Sequence, residues 1–440
     1  MQNEWDELML ETHTIKQHLD ATRQELSQTL YQNDAACRVI ARLVRERDEA
    51  LAQLEAQRES VAAEVRVAAA VAGAGPEAMQ EEPEVLAADG EAEIGFTQDI
   101  LARMTAKFDQ LSVTRKKRPI PSGLATRDEI GAFANSYSQT LHKTSPPGIL
   151  CLALHPVRNG VLLTGGADKT CVVFDSASGK QLGVCQGHEK KVRSVAWHPT
   201  GAVAVSGSAD HTCRIWAADD TAPTQYVELG RSDLHREEVV AVTIQATGDF
   251  FASASLDGSW ALHDIQTARC IKRMSEAAGG GSLASASFHP DGLILATGAK
   301  TGIVHLWDLR QKGLCAATLE AHPAAAAALA FSENGYSLAT GGEDGVAKIW
   351  DLRKIKDIAS LPVGSEVKAI SYDHSGVYLA AAGTNSVRVF VAKEKTQIAE
   401  FACTDRKPNT GIAFGPLAQY LVVSGMDRHV RIWGTRPSKE

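Results

Sequence analysis

The sequence predicts a mostly β protein: a seven-bladed β-propeller preceded by a long α-helical coiled coil. The first observation is a phrase that reads as a strand end, a tight turn and a second strand, clearest in TGGEDGVAKIWD from Thr340 to Asp351. The second is its recurrence every 40 to 47 residues, with the turn position at Asp168, Asp210, Asp257, Thr301, Asp344, Thr384 and Asp427. Seven copies at this period are typical of four-stranded propeller blades. The third observation is an N-terminal segment without Gly or Pro before Gly73, which predicts a long helix.

The bulk composition argues against several classes of protein. The 440 residues carry a net charge of -8, which disfavours an electrostatic nucleic-acid binder. We expect neither a signal peptide nor a membrane span, since no apolar run approaches the roughly 18 residues that a span needs. The eight cysteines never form a CxxC pair and lie mostly at strand-like positions. They predict buried thiols in a reducing compartment, and no metal site or cofactor is expected.

The helix predicted over residues 1–71 carries a heptad pattern of apolar residues. The candidate oligomerisation seam consists of Leu8, Ile15, Leu19, Leu26, Leu30, Ile40, Leu43 and Leu54. Two overlapping seams make the apolar stripe wider than a two-stranded coil needs, which favours more than two helices. The alternative is a helix packed on its own propeller. Because a straight helix of this length would extend on the order of 100 Å, self-association or a helical partner is the favoured interpretation.

Residues 72–139 are predicted to form a linker with three parts. The stretch from Glu77 to Asp99 holds eight acids and no Lys or Arg, which indicates a solvated spacer. Thr97 is a candidate cap for a short amphipathic helix that would dock on the propeller or on a partner through Ile100, Leu101, Met104, Phe108 and Leu111. Four consecutive cations then form a candidate nuclear-import signal, or a solvated charge run without a reader: Arg115, Lys116, Lys117 and Arg118.

The propeller is predicted over residues 140–436. Each repeat carries an alternating apolar strand followed by a turn signal such as HPTG, HPDG or SENG. A single blade exposes both faces of its sheet, whereas seven stacked blades bury both and leave only short edges. We predict that Thr140 to Thr144 forms an extra strand that completes the last blade and so closes the ring.

A hydroxyl residue, His, Asp and Trp recur at matching positions in the repeats. Two complete sets are His188, Ser206, Asp210 and Trp216, and His322, Thr340, Asp344 and Trp350. The third repeat has His235, Ser253 and Asp257, with His263 in place of Trp. One interpretation is a hydrolase triad, but an enzyme needs one nucleophile and one oxyanion hole, whereas a hydrogen-bonded blade corner needs a copy per blade. We therefore expect structural tetrads and assign no catalytic residue; an enzyme acting through the propeller channel is the least favoured function.

With coil, linker and propeller in this order, the chain resembles the pre-mRNA-processing factor nineteen family. The phrase from Trp5 to Leu43, WDELMLETHTIKQHLDATRQELSQTLYQNDAACRVIARL, resembles the family's tetramerisation helix, and the resemblance continues in TRKKRP at Thr114. Matching propeller phrases include PGILCLALHP, ATGDFFASASLDGSWALHDIQT and FSENGYSLATGGEDG. The resemblance covers nearly the whole chain. Its most specific parts are the coil phrase and the replacement of Trp-Asp by His263-Asp264.

The resemblance implies a nuclear, homotetrameric scaffold of the spliceosome-associated nineteen complex that acts in pre-mRNA splicing. It also implies family roles in protein ubiquitination and the DNA damage response. Expected partners are further copies of the chain and proteins of that complex, with no membrane and no sequence-specific nucleic acid. Family members begin with a U-box that recruits a ubiquitin-conjugating enzyme, whereas this sequence starts at Met1 beside the coil phrase. That enzyme is therefore expected as a partner only where a U-box is present, and no intrinsic catalysis is expected from these residues.

An alternative function rests on two tetrapeptides, Trp307 to Arg310 and Trp350 to Arg353, at the same place in successive blades. They match the WDxR pattern of substrate receptors of cullin-based ubiquitin ligases. The simpler interpretation is that each arginine is a solvated residue at a strand end.

Overall fold

The computed structural model describes residues 97–116, 121–143, 145, 148–218, 225–275, 281–311, 314–403 and 407–434. Within these ranges the chain forms a seven-bladed β-propeller, as the repeats predict, preceded by the helices α1 (Gln98–Lys116) and α2 (Arg127–Gly131). The predicted coiled coil, with every residue of its seam, lies outside the described residues, as do the acidic stretch before Thr97 and the basic residues Lys117 and Arg118.

Each blade is an antiparallel sheet of four strands, numbered β1 to β28 in chain order. Blade 1 contains β2 Ile149–Leu154, β3 Val161–Gly166, β4 Thr170–Asp175 and β5 Lys180–Gln186. Blade 2 contains β6 Val192–Trp197, β7 Val203–Ser208, β8 Cys213–Ala218 and β9 Tyr226–Ser232. Blade 3 contains β10 Val239–Ile244, β11 Phe250–Ser255, β12 Ser259–Asp264 and β13 Cys270–Ser275. Blade 4 contains β14 Leu283–Phe288, β15 Ile294–Ala299, β16 Ile303–Asp308 and β17 Leu314–Glu320. Blade 5 contains β18 Ala326–Phe331, β19 Ser337–Gly342, β20 Val346–Asp351 and β21 Lys356–Pro362. Blade 6 contains β22 Ala369–Tyr372, β23 Tyr378–Ala382, β24 Ser386–Val391 and β25 Thr396–Ala402. Blade 7 combines β26 Asn409–Phe414, β27 Tyr420–Gly425 and β28 His429–Gly434 with β1 Ala134–Thr140.

Strand β1 closes the ring by pairing antiparallel with the last strand, so that Ala134 lies opposite Gly434 and Thr140 opposite His429. An N-terminal strand therefore completes the last blade, but its predicted position at Thr140 to Thr144 is wrong: the strand ends where the prediction began. Its sequence, ANSYSQT, is polar because an outermost strand buries little of its surface, so it lacks the alternation that marks the inner strands. The propeller accordingly begins several residues before residue 140.

Neighbouring blades pack through the second strand of one and the innermost strand of the next. A Cβ atom on Gly207 would lie 2.6 Å from a methyl group of Val242, and one on Gly341 would lie 2.7 Å from the Cδ1 methyl group of Ile370. Only a residue without a side chain allows this approach of one blade to the next. The innermost strands of all seven blades line a central channel of about 920 Å³.

The two rims of the propeller differ in the connections that they carry. We call the rim with the turns between second and third strands, together with the connections between blades, the upper rim. The lower rim carries the remaining turns of each blade. Both helices pack on residues of the lower rim or of the strand ends next to it.

Helix α1 docks on blades 3 and 4, which decides between the two docking alternatives that its apolar stripe left open. Thr97 caps the helix, since its Oγ1 accepts a hydrogen bond from the Ile100 backbone N–H at 3.3 Å. Met104 is fully buried, in one cluster with Phe250 of β11 and Leu309. Helix α2 instead packs beside blades 6 and 7, where Ile130 and Phe133 join a core cluster that includes Tyr378, Phe401 and Leu421.

Candidate functional site

In blades 2 and 5, the four residues of each predicted tetrad form a hydrogen-bonded cluster at the upper rim. In blade 2, His188 places its Nε2 2.7 Å from the Ser206 Oγ and its Nδ1 2.8 Å from the Asp210 carboxylate. The indole N–H of Trp216 donates to the same Ser206 Oγ at 2.8 Å. Blade 5 repeats this arrangement, with corresponding distances of 2.8, 3.0 and 3.1 Å among His322, Thr340, Asp344 and Trp350.

Blade 3 builds the same corner with histidine in place of tryptophan. His235 joins Ser253 at 2.7 Å and Asp257 at 3.3 Å, and the Nε2 of His263 lies 2.8 Å from the Ser253 Oγ. The His263 side chain is fully buried, and burial lowers its pKa to about 3. A neutral imidazole therefore occupies the position of the indole.

Blade 1 contains a corner that sequence reasoning missed. His142, in the loop after β1, places its Nδ1 2.9 Å from Asp168 and its Nε2 2.9 Å from the Thr164 Oγ1. It lies 22 residues before its hydroxyl partner, whereas His188, His235 and His322 lie 18 residues before theirs. A search that allowed the longer spacing would have found it. His142 thus links the ring-closing segment to blade 1.

The remaining corners are reduced: the turn residue is Thr in blades 4 and 6, and the connection before blade 7 contains no His. In blade 4, whose turn residue is Thr301, the Trp307 indole N–H still donates to the Thr297 Oγ1 at 2.8 Å. In blade 6 the Thr384 backbone N–H donates to the Ser365 Oγ at 3.0 Å. In blade 7 the Asp427 carboxylate instead pairs with Arg431. Networks that join His, a hydroxyl group and Asp are therefore concentrated in blades 1, 2, 3 and 5.

The turn carboxylates of blades 1, 2 and 3 are held in the charged form. Burial raises the pKa values of Asp168, Asp210 and Asp257, but hydrogen bonds from the neighbouring His side chain, hydroxyl and backbone N–H outweigh it. The net result is a pKa well below the usual range for all three. In blade 2 the Asp210 carboxylate accepts bonds from the Glu189 and Thr212 backbone N–H groups at 2.9 and 3.0 Å.

The hydroxyl groups of the corners are poorly placed for nucleophilic catalysis. Ser206 is 1% exposed, and its Oγ already contacts His188 and Trp216. Thr340 is fully buried with the same two kinds of neighbour. A nucleophile must reach its substrate, and these oxygen atoms face other side chains of their own blade. We interpret the corners as structural networks that fix the turn of each blade.

The two WDxR arginines lie on the lower rim, and each pairs with the Asp two residues before it. The Nη2 of Arg310 lies 2.7 Å from Asp308, and that of Arg353 lies 3.2 Å from Asp351. Their side chains are 50% and 65% exposed. Arg310 also lies over the Phe108 ring of α1 at 5.8 Å. Of the candidate import cluster, Arg115 and Lys116 form the last two residues of α1.

The described ranges contain seven of the eight cysteines and two α-helices. None of the seven cysteines there forms a disulfide. Five are buried as expected, whereas Cys151 is partly exposed and Cys315, on β17, is exposed. No group of His, Cys, Asp or Glu side chains in these ranges is arranged to hold a metal ion. Neither described helix combines the length and apolarity needed to span a bilayer.

Profiles of known protein families match both the N-terminal segment and the propeller. The Prp19/Pso4-like family profile matches residues 1–56. The profile of the WD domain, G-beta repeat, matches residues 135–175, 179–217, 269–308 and 410–434, and that of the nucleolar protein 10-like N-terminal domain matches residues 294–414.

Relatives in distant organisms align over almost the entire chain. The pre-mRNA-processing factor 19 of Mus musculus is 41% identical over 98% of this chain and 84% of its own length. Those of Oryza sativa subsp. japonica and Caenorhabditis elegans are 39% and 35% identical over 98% of this chain, with 82% and 84% of their own lengths covered. This chain belongs to the pre-mRNA-processing factor 19 family.

Proposed function

We propose that this protein is a nuclear, oligomeric scaffold in pre-mRNA splicing. The observation that carries the proposal is the identity of 35 to 41% over 98% of the chain with proteins named as pre-mRNA-processing factors. The similarity includes the N-terminal segment as well as the propeller, so it concerns the whole arrangement of the chain. Roles in ubiquitination and the DNA damage response follow from the same resemblance and rest on it alone.

The geometry supports binding as the work of the propeller. The side chains that resemble a catalytic triad are buried within single blades, whereas turn residues such as Lys169 on the upper rim and Arg353 on the lower rim are exposed. In the proposed assembly the N-terminal coil joins several copies, four by family resemblance, and each copy presents its own propeller. Linked binding modules gain avidity without strong individual contacts, which suits a protein that organises a large complex.

Oligomerisation is tested by size-exclusion chromatography with light scattering on the full chain of 47.0 kDa. We expect a mass of several chains for the wild type and of one chain for Ile40→Asp, because a carboxylate buried in an apolar seam is costly. Gln24→Asp, which adds the same charge outside the seam, is the matched control and should remain oligomeric. A monomeric wild type at micromolar concentration would refute the oligomeric part of the proposal.

The splicing role is tested by depletion and complementation. Nuclear extract depleted of the endogenous protein should regain splicing of a reporter pre-mRNA when the wild-type chain is added. Ile40→Asp should restore little activity and Gln24→Asp should restore full activity. If undepleted extract rescued splicing in the depleted extract but the wild-type chain did not, the result would count against the role.

Nuclear entry is tested separately by replacing Arg115, Lys116, Lys117 and Arg118 with alanine and locating the fluorescently tagged chain.

The alternative function, a substrate receptor of a cullin-based ligase, is favoured by one observation. Arg310 and Arg353 occupy equivalent positions on the lower rim of adjacent blades, and at least half of each side chain is exposed. Arg310→Lys with Arg353→Lys keeps the charge but removes the planar guanidinium fork. Loss of binding to a ligase adaptor in this variant would favour the receptor function. Unchanged splicing complementation together with no adaptor binding by the wild type would exclude it.

A further inference from the structure

The upper rim shows a difference between neighbouring blades at one backbone position. The residue after the turn position adopts a left-handed conformation in six blades. In blades 3, 4 and 5 it is glycine, with φ values of 77°, 86° and 79° for Gly258, Gly302 and Gly345. In the consecutive blades 7, 1 and 2 it is a basic residue, with φ values of 71°, 71° and 73° for Arg428, Lys169 and His211.

A left-handed backbone favours glycine, because a Cβ atom crowds the following carbonyl group. Blades 7, 1 and 2 accept this crowding and keep a long or aromatic basic side chain at the tip of the turn. Lys169 is exposed, and His211 and Arg428 are partly exposed. The turn itself does not require these side chains, since the glycine of blade 5 serves an equally complete corner. The three basic side chains are therefore available for contacts outside their own blades.

Other basic residues lie on the same arc of the upper rim. Lys143 follows His142, and its backbone N–H donates to Asp168 at 3.0 Å. The exposed Lys190 lies in the connection before blade 2, and the exposed Lys407 lies in the connection before blade 7. Other ion pairs of this rim, in the described part of the chain, include those of Lys191 and Arg193 with Glu238, Lys368 with Glu343 and Glu366, and Arg431 with Asp427. The six side chains of the arc remain outside these pairs: Lys143, Lys169, Lys190, His211, Lys407 and Arg428.

The charge is distributed unevenly around the ring. Blades 5 and 6 carry the exposed acids Glu343 and Glu366 on the same rim, and Lys368 contacts both, at 2.8 and 3.0 Å. Their charges are thus partly balanced within the protein. On the arc over blades 7, 1 and 2, the described cations Lys143, Lys169, Lys190, Lys407 and Arg428 are accompanied by one exposed acid, Glu189. The turn carboxylates Asp168, Asp210 and Asp427 are bonded within their own blades, so cations outnumber acids at the surface of the arc. An arc of this kind attracts a ligand of opposite charge and fixes its position by charge complementarity.

We infer that the upper rim of blades 7, 1 and 2 binds an acidic segment of a partner protein. The inference rests on the proposed scaffold function and adds the chemistry of the partner. An acidic peptide fits better than single-stranded nucleic acid, because such binding usually adds aromatic platforms on which bases stack. Tyr336 is the aromatic residue among the exposed large hydrophobic residues of the described ranges, and it lies on the lower rim. The net charge of -8 also disfavours general attraction of a polyanion.

The test uses the full chain and a fluorescein-labelled peptide of alternating Glu and Ser, with an alternating Gln and Ser peptide as the uncharged reference. Binding is followed by fluorescence anisotropy at physiological salt. The variant Lys169→Gly/His211→Gly/Arg428→Gly gives blades 7, 1 and 2 the residue already present in blades 3, 4 and 5. We expect about a tenfold loss of affinity for the acidic peptide, because Lys169 and Arg428 each contribute an exposed ion pair worth a few-fold and the His211 ring N–H donates a hydrogen bond to a carboxylate. The melting temperature should not fall, since glycine relieves the left-handed backbone.

The matched control removes three cations from the lower side of blades 5 and 6. It is Lys356→Gln/Lys393→Gln/Lys395→Gly, in which Lys395 has a left-handed backbone with φ 63°. It should bind the acidic peptide within about twofold of the wild type, since long-range charge is screened at this salt concentration. Equal affinity of wild type and upper-rim variant would overturn the inference, as would a single-stranded oligouridine that binds more tightly than the peptide. Splicing complementation by the wild type, measured in parallel, separates failure of this inference from failure of the scaffold function.

Discussion

The Nε2 of His263 lies 2.8 Å from the Oγ of Ser253, at the place where the indole N–H of Trp216 meets Ser206 in the preceding blade. The imidazole stacks on the Phe251 ring at 4.6 Å and is fully buried, and its Nδ1 has no hydrogen-bond partner among the described residues. A tryptophan at this position cannot be protonated, whereas a histidine can. The substitution therefore gives blade 3 a sensitivity to acid that blades 2 and 5 do not have at this position.

Replacing His263 with glutamine should reduce the loss of stability between pH 7.5 and pH 5. Burial lowers the pKa of His263 to about 3, below its ordinary value of 6.5. As the pH falls, the unfolded chain therefore binds the proton first, and the stability contributed by the neutral side chain is lost from about pH 6.5 towards pH 3. The expected loss down to pH 5 is about 2 kcal/mol for the wild type. Gln keeps an N–H donor for Ser253 without titrating.

The measurement is denaturant unfolding at both pH values, compared as a difference for each protein so that any constant cost of the substitution cancels. Asn135→Gln, an exposed replacement that changes no titratable group, is the control and should keep the wild-type difference. An equal pH dependence in His263→Gln and the wild type would show that this imidazole does not control the acid response.

Asp210→Ala should destabilise the propeller without affecting any chemical step. The carboxylate accepts bonds from His188, from the Thr212 side chain at 2.7 Å and from two backbone N–H groups, and its removal leaves buried donors unpaired. The expected cost is about 1–3 kcal/mol. Asp344→Ala should behave similarly in blade 5. Thermal melts followed by circular dichroism measure the effect, with the exposed Glu189→Ala as control. An unchanged melting temperature in both Asp variants would refute the structural interpretation of the corners.

His142→Ala should weaken the closure of the ring. Its imidazole joins the loop after β1 to Asp168 and Thr164 of blade 1, while β1 itself pairs with β28 of blade 7. Loss of these bonds should cost about 1–3 kcal/mol and leave the buried Asp168 with fewer donors. Hydrogen exchange should increase first in β1 and β28. The control is Asn135→Ala, an exposed position on the same strand. A uniform increase over all blades would indicate general destabilisation instead of local opening.

His142 also shows what could be derived from the sequence and what could not. The seven turns were predictable because Asp or Thr, the following turn residue and the next strand form one local pattern that recurs every 40 to 47 residues. The corner His of blades 2, 3 and 5 is found by its distance of 18 residues from the hydroxyl residue, and in blade 1 that distance is 22. Strand β1 was placed too late because its polar sequence contains no periodic signal. The basic arc could not be anticipated, since it depends on blades 7 and 1, the two ends of the propeller, lying side by side.

Met104→Asp should release helix α1 from the propeller. Met104 is fully buried against blades 3 and 4, and the same helix is held by the ion pair between Arg103 and Asp249 at 2.8 Å. A carboxylate at this position would be desolvated without a partner, so the undocked helix is favoured. Limited trypsin digestion should then cleave after Arg103 and Lys107 much faster than in the wild type. Met104→Leu, which conserves volume and apolarity, should be cleaved at the wild-type rate. Because the seven blades keep their own core, the main melting transition should move little. If Met104→Asp resisted trypsin as the wild type does, the contacts of Met104 could not be what holds the helix.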